Sequence, residues 1–172
     1  MRTLVLFACL LVVALVVGTA AATGARGVEP TNGTLSVQGG RGLVVLEMRG
    51  SILGRLGSGA VTVTDLTPRD PYTATVAGKK VKTLHLAPRT DRHRGVALRF
   101  RMVGGSWRVT VRGSGIALSA VGRGAVSLQG ERLNPFDDAG VYSLDGTDCS
   151  TQQASCTPLP DVLERFALGA QS

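Results

Sequence analysis

Between Thr34 and Leu144 apolar and polar residues alternate in short runs, and glycine interrupts almost every run. Val61 and Val63 alternate with Thr62 and Thr64. Val96, Leu98, Phe100 and Met102 alternate with Ala97, Arg99 and Arg101. Trp107, Val109 and Val111 alternate with Arg108, Thr110 and Arg112, and Val126 and Leu128 with Ser127 and Gln129. A period of two sends successive side chains to opposite faces of a strand, so this pattern describes half-buried antiparallel strands. Glycine supplies the punctuation: 23 of 172 residues, about 13% against a usual ~7%. The expected fold is all-β, a single antiparallel β-sandwich or an open barrel of about ten short strands. A β-solenoid is a third architecture. A coiled coil, a polytopic membrane protein and a dense disulfide scaffold are excluded.

Local signals refine this expectation. Gly104-Gly105 is a two-residue turn that tolerates positive φ. Counting outward from it pairs Met102 with Trp107, Arg101 with Arg108, Phe100 with Val109 and Leu98 with Val111. All the apolar partners then share one face. A weak internal repeat relates GSGAVTV at 57–63 to GRGAVSL at 122–128, and Arg49-Gly50-Ser51 to Arg112-Gly113-Ser114. Two related β halves would produce it. So would the chance likeness of glycine-rich strands.

The first residues read as an address. Arg2 precedes a nearly unbroken apolar run, Leu4 to Val17, and small residues through Ala22 follow. A secretory signal peptide over 1–22 has this form, with cleavage after Ala22. If uncleaved, the segment is long enough to anchor the chain in a membrane. Residues 23–33 form a glycine-containing linker, 34–130 the β domain core, and 131–172 an acidic, disulfide-containing C-terminal extension. That extension is expected to be irregular or briefly helical, with a short helix from Pro160-Asp161 to Leu168 closed by Gly169. Cys149 and Cys156 form a disulfide in an oxidising compartment. The protein is therefore expected to be secreted or to lie in the cell envelope.

Charge is unevenly distributed. From Arg69 to Arg112 there are eleven basic residues against Asp70 and Asp91, whereas Glu131 to Ser172 carries seven acids against two bases. Alternation sends Arg99, Arg101, Arg108 and Arg112 away from the core, which makes them the anion-binding candidates. Guanidinium forks suit phosphate and carboxylate groups. The expected partners are an anionic polymer, an anionic lipid surface or a protein. Export argues against nucleic acid, and so does the shortage of exposed aromatics for base stacking. Salt and water alone, or the acidic extension, would also neutralise such a face.

Catalytic signatures are scarce. The chain lacks a nucleophile elbow, a P-loop, GxGxxG and HExxH, and no cofactor is implied. His85 falls in a strand-like run and His93 in a polar segment. Asp137, Asp138, Asp145 and Asp148 are weak Ca²⁺ candidates because a hard cation prefers oxygen ligands, but EF-hand spacing is missing. The leading function is an exported, non-catalytic β module that binds through its Arg-rich sheet face. The alternatives are a secreted hydrolase using carboxylates of the acidic loop and a purely structural envelope domain.

Overall fold

A computed structural model describes residues 32–169; the expected signal peptide and most of the 23–33 linker lie outside the described residues. The described residues are nearly all β, 68% in strands and 2% helical. Its strands are β1 (Gly33–Asp65), β2 (Thr75–Ala87), β3 (Thr90–Met102), β4 (Ser106–Gly130), β5 (Val141–Ser143), β6 (Thr157–Pro158) and β7 (Glu164–Leu168). They form one antiparallel sheet of order β2-β3-β1-β4-β7, with β5 on β1 and β6 on β5. The sheet is not closed.

Instead of about ten short strands, the described residues form seven, of which β1 has 33 residues and β4 has 25. These two coil about each other. Leu43 lies opposite Arg112 on one side and Gln129 on the other, and Leu46 lies opposite Val109 and Val126. Val109 in turn sits between Leu46 and Val63. Each partner pair is 17 positions apart, so one turn of the coil takes 17 residues.

Glycine is what lets such long strands bend. Among the positive-φ glycines, Gly42, Gly50 and Gly59 in β1 and Gly113 and Gly122 in β4 stand 8 or 9 residues apart, which is half a turn, and Gly124 beside Gly122 has the same conformation. A Cβ on Gly113 would lie 2.1 Å from the Ser58 carbonyl oxygen, and one on Gly50 would lie 2.2 Å from that of Val121. Only glycine combines this backbone conformation with so close an approach. The repeat in the sequence falls on these corners. Gly50 and Gly113 match at φ 147° and 150°, and Gly59 and Gly124 match at 142° and 150°.

Between corners, alternate residues enter a single core. β1 contributes Val44, Leu46 and Ile52, β3 contributes Leu98, Phe100 and Met102, and β4 contributes Trp107, Val109 and Val111. Ala139, Leu159 and Leu168 from the C-terminal extension join the same cluster.

Two local expectations are corrected. The Gly104-Gly105 hairpin does not form, because β3 and β4 do not pair. Both lie along β1, with Met102 opposite Ile52 and Ser106 opposite Arg49. Four steps on one side oppose three on the other, so the diglycine is a one-residue bulge in a continuing line. Gly50 N–H donates to the Gly105 carbonyl at 3.0 Å across this bulge. The inward and outward faces nevertheless come out as the alternation predicts.

The helix expected over Pro160–Leu168 is replaced by β7, which pairs with Gly124–Leu128 of β4. A helix of two turns is marginal in water, whereas the β4 edge offers a ready ladder. The described helical residues are a 3₁₀ turn, Gln153–Ser155. Cys149 and Cys156 are joined, as expected of this pair.

β2 lies at the edge of the sheet and is irregular. A register shift lies between Lys79 and Lys82, and Lys80 has φ 52°. Beyond it Leu84 and Leu86 are exposed. Lysines on this edge strand discourage pairing with another chain.

Candidate functional site

The outer face of one sheet region carries a groove of about 710 Å³. Its floor is built from cross-strand rows. One row runs Ser36, Ser119, Leu53, Arg101, Thr75, and the next runs Ala117, Arg55, Arg99, Ala77. Period two explains the composition, since these are the outward positions of strands whose inward positions are Leu35, Ile52, Phe100 and Leu118. Small residues at Ser36, Ala77, Ala117 and Ser119 keep the floor low. Arg55, Arg99 and Arg101 rise on the β3 side. Gly146, Thr147, Asp148 and Ser150 form the opposite wall.

That wall is held in place chemically. Ser36 Oγ accepts a hydrogen bond from Cys149 N–H at 3.0 Å, and the disulfide fixes Cys149, which is fully buried. Asp148 accepts from Ser150 N–H at 2.9 Å, which lowers its carboxyl below the usual range. Asp145 accepts from the Ser143 hydroxyl and from Thr147 N–H. With the Ser143 bond contributing most, its pKa falls to about 2. Both groups are thus anionic at neutral pH and bound into local turns.

The arginine side of the groove is open to an anion, while the Asp148 carboxylate lies on the opposite wall. Arg55, Arg99 and Arg101 have no ion pair among the described residues. Arg55 and Arg99 lie directly opposite one another on β1 and β3. Like charges at this separation repel, by tenths of a kcal/mol up to about 1 kcal/mol, until water, salt or a ligand intervenes.

The structure divides the four arginines singled out from the sequence. Arg99 and Arg101 line the groove. Arg108 lies between Glu47 and Thr64 and donates through Nε and Nη2 to Glu47 at 3.1 Å each. Arg112 lies between Leu43 and Ala60 and borders a separate depression of about 140 Å³ with Glu131. Arg101 and Arg108 do not face each other. Arg55, absent from the candidates, joins the groove because β1 inserts beside β3. Its own neighbourhood, Leu53 to Leu56, does not alternate apolar and polar residues, so period two did not single it out.

The acidic extension does not cover the groove arginines with its carboxylates. Asp137 instead pairs with Arg41, whose guanidinium holds the carboxyl below its ordinary range, and Asp161 pairs with Arg132 at 2.8 Å. Among the described residues no three His, Cys, Asp or Glu side chains form a metal-holding group, so Asp137, Asp138, Asp145 and Asp148 are not brought together.

The sheet does bring both histidines together. His85 is opposite Asp91 and bonds it through Nδ1 at 2.5 Å, while His93 is opposite Thr83 and bonds it at 2.9 Å. The two pairs are neighbours on one face of the β2–β3 hairpin. His85 is 82% exposed, so this patch lacks the enclosure that acid–base chemistry exploits.

Comparison of the chain with protein families, curated proteins and solved structures found no match.

Proposed function

We propose that the protein is an exported, non-catalytic β module that binds an anionic ligand of the cell envelope through Arg55, Arg99 and Arg101. One observation carries this reading: three outward arginines without carboxylate partners converge on one groove. Unpaired guanidinium groups favour phosphate or carboxylate ligands, with which they form charge-assisted, often bidentate bonds. Export rests on the N-terminal sequence and is consistent with the disulfide. The architecture within this reading is a sandwich, because corners at half-turn intervals flatten a coiled sheet into two facing layers.

The test is a calorimetric titration with poly(glycerol phosphate), with dodecyl phosphate below its micelle concentration, and with dextran as a neutral glycan. Each is run at low and physiological salt. Salt-sensitive binding of an anionic probe, lost when Arg55, Arg99 and Arg101 become Ser, is the expected result. Binding to neither anionic probe at either salt refutes it.

A further inference from the structure

Beyond its charge, the groove has an apolar side. Leu53 and Val121 are 46% and 49% exposed, far more than their core-facing neighbours. They stand on adjacent β1 and β4 segments, since Ser119 lies opposite Leu53 and Val121 opposite Ser51. Both line the same groove as the arginines, and most of the groove surface is apolar. Moving from Arg101 across the sheet, the floor passes Leu53 and Ser119 to reach Ser36 below the disulfide-fixed wall. Three strand spacings of ~4.8 Å make this a track of roughly 14 Å.

A phosphodiester polymer or a sugar has no use for such a track. A simple anion would need the arginines alone. The combination of a cationic end with an apolar, small-residue floor matches a ligand that has an anionic head and one hydrocarbon chain. Resting on the proposed anion-binding role, we infer that the groove binds a single anionic lipid-like molecule. Its head sits at Arg55, Arg99 and Arg101, and its chain lies over Leu53 and Val121 toward the Gly146–Ser150 wall. Charge complementarity fixes the head, and the apolar floor fixes the direction of the chain. Both Leu53 and Val121 are outward residues, so their replacement leaves the core intact.

The experiment compares three probes on the full, oxidised chain: dodecyl phosphate below its micelle concentration, butyl phosphate, and dodecyl maltoside. The same titrations are run on Arg55→Ser/Arg99→Ser/Arg101→Ser and on Leu53→Ser/Val121→Ser. The N-terminal apolar run is common to all three proteins, so the differences between them report the groove. Thermal unfolding of each variant checks that the fold is kept.

Dodecyl phosphate is expected to bind at one site. Butyl phosphate should bind at least about tenfold more weakly, since each methylene fully removed from water is worth roughly fourfold. Both variants should weaken dodecyl phosphate by about tenfold or more, and dodecyl maltoside should show no arginine-dependent binding. Equal affinity for butyl and dodecyl phosphate, both lost in the arginine variant, overturns the chain site but leaves anion binding standing. Equal binding of dodecyl maltoside overturns the head site. If no probe shows arginine-dependent binding, both this inference and the anion-binding reading fall.

Discussion

Replacing Gly113 by Ala tests the glycine corner on which the coil of β1 and β4 depends. Gly113 has φ 150°, and an added Cβ would stand 2.1 Å from the Ser58 carbonyl oxygen and 2.9 Å from the Gly59 Cα. The backbone conformation alone costs an L-residue about 1–3 kcal/mol. Relief of the overlap requires β1 and β4 to separate locally, losing one or two ladder bonds worth about 1 kcal/mol each. The expected loss is therefore about 2–5 kcal/mol, a large share of the ~5–15 kcal/mol that stabilises a typical domain. Gly39→Ala is the control. It has φ 65° and nothing within 4 Å of the added Cβ, so it should cost only about 1–2 kcal/mol.

Fluorescence of the single tryptophan, Trp107, reports unfolding because its side chain is 2% exposed. At about 3–5 °C per kcal/mol, Gly113→Ala should lower Tm by roughly 6–25 °C and Gly39→Ala by roughly 3–10 °C, with the larger shift in Gly113→Ala. Equal shifts in the two variants would refute the corner argument.

Three further outcomes follow from the same geometry. Reduction of Cys149–Cys156, a separation of 7 residues, should cost about 2–3 kcal/mol in the chain-entropy view and weaken ligand binding as the groove wall loosens. Thermal unfolding and dodecyl phosphate titration with and without dithiothreitol check both effects, and unchanged affinity would free the wall of any role. Asp145 is lowered from 3.8 to about 2 by the Ser143 hydroxyl, so its contribution is complete above pH 4 and disappears as pH falls toward 2. In Asp145→Asn, Tm followed against pH should lose that component of the acid limb; an unchanged limb contradicts the assignment. Replacing Leu98, fully buried, by Ala should cost about 2–5 kcal/mol, whereas Leu84→Ala on the exposed face of β2 should stay within about 0.5 kcal/mol in denaturant titration.

The side-chain alternation was legible in the sequence, but the partners were not. Leu98, Phe100, Met102, Trp107, Val109 and Val111 all enter the core as a period of two requires. Their pairing is set by β1, more than forty positions upstream of most of them, and no local signal near Gly104-Gly105 encodes it. Two positive-φ glycines satisfy a reversing turn and a bulge equally well, at φ 74° and 76°. The non-local ladder decided between them. The same cause split the candidate site: Arg99 and Arg101 met Arg55, while Arg108 met Glu47. β7 shows the converse, since Phe166 and Leu168 at a spacing of two already fit a strand once β4 supplied an edge.

The most direct measurement separates the groove from net charge. Dodecyl phosphate is titrated at two salt concentrations into the parent chain, Arg55→Ser/Arg99→Ser/Arg101→Ser, and Arg108→Ser/Arg112→Ser. The groove account predicts salt-sensitive binding by the parent, loss of about tenfold or more in the triple variant, and near-parent affinity in the double variant. Equal weakening in both variants would mean that diffuse positive charge, rather than the groove, holds the anion.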